Sequence, residues 1–186
     1  MNDEIFGERR KANEESFFAK RDGQLRERLR ARAEREARRR ALSDVTGIED
    51  DWVLEALLAR GIDEHSVEGF ALLPLAEVAW ADGRVEAAER AAALEAAQRR
   101  GVGADGRALL EAWLAQPPDG SLREVWRAFV AARATALEAP HRDAWRRELL
   151  DQAHAVARAS GGLLGFGSKV SGAEEAALRG IEAALS

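Results

Sequence analysis

Apolar and polar residues recur along most of this chain with the period of an α-helix. The clearest stretch is Leu72–Arg90, in which apolar side chains first recur at i, i+3, i+4 and i+7 and therefore form one face. Asp82 and Gly83 interrupt it, because glycine readily ends a helix and aspartate can cap the next one. The second helix is predicted from about Val85, with Arg99 and Arg100 in its last turn, where the helix macrodipole favours them, and with Gly101 just past its end. The pattern thus predicts two helices joined by a tight turn, with other segments packed around them.

Further helices are predicted wherever an apolar face is bounded by proline, glycine or a capping residue. They cover 108–114, 122–137, a segment that begins at Pro140, and 173–185, and a short helix that Asp50 or Asp51 caps. The five tryptophans fall on different helices, at positions 52, 80, 113, 126 and 145, and we expect them to meet in one core. Alanine, leucine, glutamate and arginine dominate and β-branched residues are few, so the predicted fold class is all-α.

The N-terminal residues follow a different pattern, with dense charges of both signs and a thin apolar stripe. Leu25 and Leu29 form that stripe, and only alanines continue it. Glu36 and Arg40 are four residues apart, a spacing that supports a long exposed helix. The expected domains are a basic, extended helical arm over 1–42, short helices that dock on the body over 43–69, and a helical bundle over 70–186.

Charge and composition distinguish the arm from the body and restrict the expected location of the protein. The net charge is −5, but Lys20–Leu42 holds ten basic and four acidic residues, so this segment carries +6 and the remainder −11. Cysteine is absent, which excludes disulfides and thiolate metal sites and fits a reducing compartment. The N-terminus is charged, and no apolar run approaches the roughly 20 residues that span a bilayer. We therefore expect a cytoplasmic protein without a transmembrane segment.

The turn at Asp82 carries a resemblance to a known family. The run VAWADGRVEAAER, Val78–Arg90, resembles the TerB-like helical domains associated with tellurite resistance, whose hallmark is an Ala-Asp-Gly turn and a later glutamate, here Glu89. A degenerate second copy lies near the C-terminus. The matching positions are Arg84, Val85 and Glu89 in the first copy and Lys169, Val170 and Glu174 in the second. The resemblance covers about residues 70–186 and implies a TerB-like bundle with an internal repeat and a bacterial stress-response role.

A second resemblance lies in the arm. Its phenylalanine-glycine start, Glu-Glu pair, aromatic pair and Gln-Leu are similar to the inhibitory segment of the mitochondrial ATPase inhibitor family. The residues that carry it, and that would bind a partner, are Phe6, Arg9, Glu14, Glu15, Phe17, Phe18, Arg21 and Leu25. In that family the segment enters an interface of the F1 motor as a helix and stops ATP hydrolysis. The match covers about 20 residues, and arginine-rich sequence replaces the family's histidine-rich coiled coil.

Other chemistries find less support. Asp82 and Glu89 could offer two carboxylates to a divalent cation, although helix capping explains the same residues. The glycine-rich run 160–169 lacks the spacing and the preceding strand of a phosphate-binding loop; a loop that presents Leu163, Leu164 and Phe166 fits it better. His65, His141 and His154 are not placed with a nucleophile. We therefore expect no enzyme, no cofactor apart from such a cation, and no small-molecule ligand.

Three functions remain after these observations. The first is a non-enzymatic interaction or regulatory protein whose N-terminal helical arm docks on a larger assembly, with F1-type ATPase as the specific partner. The alternative is a TerB-like stress-response module that binds a divalent metal ion. The third is a nucleic-acid binder, which the basic arm favours but which the acidic body and the lack of interleaved aromatic residues oppose.

Overall fold

The computed structural model describes residues 2–159 and 170–186, with the side chains of 20–159 and 170–186. Within these residues the chain forms nine helices and no strand, so the predicted all-α class is confirmed. The helices are α1 (Asn2–Thr46), α2 (Asp51–Leu58), α3 (Val67–Ala71), α4 (Leu73–Ala79), α5 (Ala87–Arg99), α6 (Ala104–Ala115), α7 (Leu122–Ala136), α8 (Ala139–Ala159) and α9 (Gly172–Leu185).

The chain divides into two compact units, Met1–Arg40 and Ala41–Ser186. The first unit belongs to α1, and in its described part Glu36 accepts hydrogen bonds from Arg39 at 3.0 Å and Arg40 at 3.2 Å. The predicted pairing of Glu36 with Arg40 is therefore confirmed. The second unit contains the last turns of α1 and the eight following helices.

Capping residues, glycine and proline set the ends of several helices, and the predicted cap at Asp50 is confirmed. Asp50 caps α2 by accepting a hydrogen bond from Val53 N at 3.0 Å. The chain leaves α2 through Gly61, whose φ of 73° lies in the left-handed region that glycine adopts without steric cost. Pro74 lies in the first turn of α4, where its missing N–H removes no helical hydrogen bond.

Helix α4 is the centre of the second unit. Its apolar side chains are fully buried, namely Leu73, Leu75, Ala76, Val78 and Ala79. It packs against α5, α6, α8 and α9. Only Glu77 among the residues of α4 is polar and partly exposed, and it pairs with Arg123 at 2.9 Å, so the helix is enclosed by neighbours on its other sides.

Phe70 in α3 joins the aromatic residues of the core. Its ring makes edge contacts with Trp113 at 6.2 Å and Phe129 at 5.6 Å between centroids. Two indole N–H groups find backbone partners: Trp126 donates to Ala71 O at 3.2 Å, and Trp80 donates to Trp113 O at 2.8 Å. These bonds tie α3 to α7 and α4 to α6.

The expectation that all five tryptophans meet in one core is wrong for Trp52. Its side chain is 62% exposed, because Val53, Leu54 and Leu57 occupy the buried face of α2. A helix of eight residues presents one narrow face to the core, and the apolar neighbours of Trp52 fill it.

Within the described residues, none of the helices combines the length and the apolar character needed to cross a lipid bilayer.

Candidate functional site

Helix α1 contains the residues predicted to bind a partner. It is one continuous helix of 45 residues, without a break at Gly23. Leu25 and Leu29 are four residues apart, so they lie on the same side of the helix, and they are 54% and 57% exposed. Arg21 is also exposed. The described part of the arm therefore presents an apolar pair among charged residues.

Several predicted partner-binding residues lie outside the described side chains, although their backbone belongs to α1. They are Phe6, Arg9, Glu14, Glu15, Phe17 and Phe18. The glycine-rich segment 160–169 lies outside the described residues altogether, with the apolar residues Leu163, Leu164 and Phe166. Their roles stay predictions from the sequence.

The turn between α4 and α5 differs from its prediction. Gly83 has a φ of 90°, and Asp82 Oδ1 accepts a hydrogen bond from Arg84 N at 3.3 Å. Helix α5 begins at Ala87, two residues after the predicted start near Val85, and its N-cap is Glu86, so the prediction that Asp82 caps α5 is wrong. Asp82 lies too far before the first turn of α5 to reach its amides, and it stabilises the turn instead.

Glu89 closes a capping box at the start of α5. Its carboxylate Oε2 accepts a hydrogen bond from Glu86 N at 2.7 Å, while the Glu86 side chain accepts one from the backbone of Glu89. Glu89 is only 1% exposed, and this burial is the main reason why its pKa rises from 4.5 to about 7. The negative charges of Asp82, Glu174 and Glu86 raise the pKa further.

Glu174 occupies the equivalent position at the start of α9. Its carboxylate accepts a hydrogen bond from Ser171 N at 2.5 Å, and Ser171 Oγ accepts one from Glu174 N at 3.1 Å. Glu174 is also buried, at 4% exposure. The structure brings Glu89 and Glu174 close enough for their charges to interact, although they lie far apart in the sequence.

These carboxylates are engaged in capping rather than collected around an ion. Among the residues that the structure describes, no group of three or more His, Cys, Asp or Glu side chains is placed to hold a metal ion. Hard divalent cations take six or more oxygen ligands, whereas one oxygen of Glu89 already accepts an N–H. The geometry thus gives Asp82 and Glu89 local structural roles.

A buried cation is a feature that the sequence did not reveal. Arg100 was assigned to the last turn of α5 on macrodipole grounds, but its side chain is 8% exposed and lies 3.2 Å from Glu148 and 3.9 Å from Glu68. Arg133 lies 3.8 Å from Glu68 and donates to Val45 O and Thr46 O. These ion pairs and hydrogen bonds hold the C-terminal end of α1 against α3 and α7. Their partners come from segments that are distant in the sequence, so the sequence alone does not indicate them.

No protein-family model, curated protein or solved structure matches this chain.

Proposed function

We propose that this chain is a non-enzymatic interaction protein whose N-terminal helix docks on a larger protein assembly. The observation that carries the proposal is the exposure of Leu25 and Leu29 on a continuous helix whose surroundings are rich in arginine. Leucines at i and i+4 are the anchors used when a helix lies in an apolar groove, and charges beside them match the rim of that groove.

F1-type ATPase is the specific partner that we propose for this helix. The support is the resemblance of the segment Phe6–Leu25 to the ATPase inhibitor family, together with the helical backbone that α1 has over the same residues. A helix that is already formed loses less conformational entropy when it binds, which favours insertion into an interface.

ATP hydrolysis by purified F1-type ATPase, measured with a peptide of residues 3–30 and with the full chain, tests this proposal. We expect inhibition by both, and its loss when Phe17→Ala and Phe18→Ala are combined, because the aromatic anchors are removed. The matched control is Ala12→Ser with Ala19→Ser, which changes two small residues of the same segment. Undiminished hydrolysis with the unaltered peptide and chain would refute F1 as the partner.

We also propose that residues 70–186 form a TerB-like bundle with a degenerate internal repeat. The support is the equivalence of two capping boxes: Glu86 with Glu89 at α5, and Ser171 with Glu174 at α9. Both late glutamates are buried third residues of their helices. A metal-binding function is not proposed, because the hydrogen bond from Arg84 N within the turn accounts for Asp82 and the capping box accounts for Glu89.

A further inference from the structure

A cleft of about 490 Å³ lies on the surface of the second unit, between the end of α5 and one side of α8. This volume is within the range of protein sites that hold small molecules, roughly 300 to 1,000 Å³. Arg99 comes from the last turn of α5, and the other lining residues are spaced by three or four positions along α8, so they form one side of that helix. They are Ala144, Arg147, Glu148, Asp151, Gln152 and Ala155.

Two opposite charges in this cleft do not neutralise each other. Arg147 and Asp151 are four residues apart, a spacing at which such side chains commonly pair on a helix. Arg147 Nε donates instead to Asp143 O at 3.2 Å, and within the described part of the chain Asp151 makes no ion pair. Both side chains belong to exposed residues, as does the second guanidinium of the cleft, that of Arg99. The cleft therefore offers cationic and anionic groups to a ligand at the same time.

Gln152 is the buried residue of the cleft wall, at 8% exposure. Its Nε2 donates to Glu148 Oε1 at 3.2 Å, and Glu148 Oε2 lies 3.2 Å from the guanidinium of Arg100, so the amide and this carboxylate are held in place. Gln152 Oε1, however, accepts no hydrogen bond from the described residues. A buried acceptor without a donor is destabilising, and such acceptors are rare in folded proteins. The cleft wall thus lacks one donor, which a ligand can supply.

From these observations we infer that the cleft binds a small zwitterion with an apolar side chain, namely a free apolar amino acid or a dipeptide of such amino acids. Arg99 and Arg147 bind the carboxylate of the ligand, and its ammonium group donates to Asp151 and to Gln152 Oε1. The two alanines of the lining leave room for the apolar side chain. The inference departs from the expectation that this chain binds no small molecule, and it is independent of the proposed role of α1.

Amide chemical shifts of the isotopically labelled full chain, titrated with L-leucine and with the dipeptide leucyl-alanine, test the inference. We expect at least one of them to bind with a dissociation constant below about 1 mM, and the two titrations distinguish a free amino acid from a peptide. N-acetyl-L-leucine lacks the ammonium group and isoamylamine lacks the carboxylate, so each should bind at least about tenfold more weakly. Absence of binding by both zwitterions up to about 10 mM would overturn the inference, as would equal binding of the singly charged compounds.

Arg147→Gln and Asp151→Asn test the two charged contacts separately. Each should weaken binding of the tighter zwitterion at least about tenfold, because a charged hydrogen-bond partner is removed from the cleft. The matched controls are Arg158→Gln and Asp143→Asn, which make the same changes at exposed positions of α8 outside the cleft. They should leave the affinity within about twofold of the parent's. A cleft variant that keeps the parent's affinity, or a control that loses as much, overturns the inference.

Gln152→Met tests the buried acceptor, because methionine keeps an unbranched side chain in the cleft wall but has no amide oxygen. Circular dichroism should show the same helix content as in the parent chain. The preference for L-leucine over N-acetyl-L-leucine should fall at least about threefold, since the ammonium group loses one of its two acceptors. A merely structural role of Gln152 would leave this ratio unchanged, and an unchanged ratio overturns the assignment of the acceptor. The measurement needs no F1-type ATPase, so its outcome is separate from that of the inhibition test.

Discussion

Glu89 is a carboxyl group that folding removes from water while a backbone amide still binds it. Burial raises its pKa from 4.5 to about 7, so between these pH values the folded chain holds a proton that the unfolded chain has released. The unfolding free energy should therefore fall as the pH rises across this window, by up to about 1.4 kcal/mol per pH unit from this group. Below the window the stabilisation is fully present, and above it the stabilisation is lost.

Glu89→Gln tests this titration because the amide cannot ionise but keeps an oxygen to accept the hydrogen bond from Glu86 N. We expect the variant to lose the part of the pH dependence of the unfolding free energy that Glu89 causes. The difference in stability between the variant and the parent chain should therefore shift in favour of the variant as the pH rises from about 5 to about 8. Urea unfolding at several pH values measures the effect. Glu95→Gln on the exposed side of α5 is the control and should keep the parent's slope; an unchanged slope in Glu89→Gln would contradict the assignment.

The turn before α5 shows which roles of single residues the sequence predicts and which it does not. Helix capping, one of the two roles considered for Glu89, is the role that it has in the structure, at the third position of α5. Its burial could not be predicted, because it depends on α9, which starts more than eighty residues later and brings Glu174 near. Asp82 was misassigned because two acceptors, Asp82 and Glu86, precede the helix, and only the backbone path of the intervening turn decides between them.

At the scale of elements, the contact between α3 and α6 depends on two glycines. A Cβ atom added to Gly69 would lie 2.5 Å from Gly106 Cα, well inside van der Waals contact. We expect Gly69→Ala to lower the unfolding free energy by about 3 kcal/mol, because the helices must separate. Urea unfolding of the full chain measures this change.

Gly180→Ala is the matched control for this prediction. Gly180 lies in α9, and a Cβ atom there would meet nothing within 4 Å. The substitution should raise the unfolding free energy by up to about 1 kcal/mol, because alanine loses less backbone entropy in a helix. Equal effects at the two positions would show that α3 and α6 are not in glycine contact.

The sequence largely predicted which segments form helices, but it did not always predict which side of a helix is buried. Capping and proline signals identified the starts of α2 and α8 to within about one residue, because these signals act within a few residues. The orientation of Trp52 was missed because helical periodicity in a segment this short allows more than one buried face. The glycine contact was missed because nothing near Gly69 in sequence indicates that Gly106 packs against it.

At the scale of the whole molecule, the last turns of α1 belong to the core of the second unit. Leu42, Thr46 and Ile48 are at most 2% exposed, and Thr46 Oγ1 donates to Leu42 O at 2.7 Å. A fragment that begins at residue 41 keeps these contacts, whereas one that begins at residue 51 loses them together with the backbone acceptors of Arg133.

We expect fragment 51–186 to be less stable than fragment 41–186 by at least about 4 kcal/mol, because the burial of one leucine and one isoleucine is worth about that much. The guanidinium of Arg133 would also lose its acceptors at the end of α1, which adds to the loss. Thermal unfolding followed by circular dichroism compares the two fragments directly. The shorter fragment lacks apolar core residues and hydrogen-bond acceptors. Equal transition midpoints would therefore mean that the second unit begins after residue 50 and that α1 contributes nothing to its core.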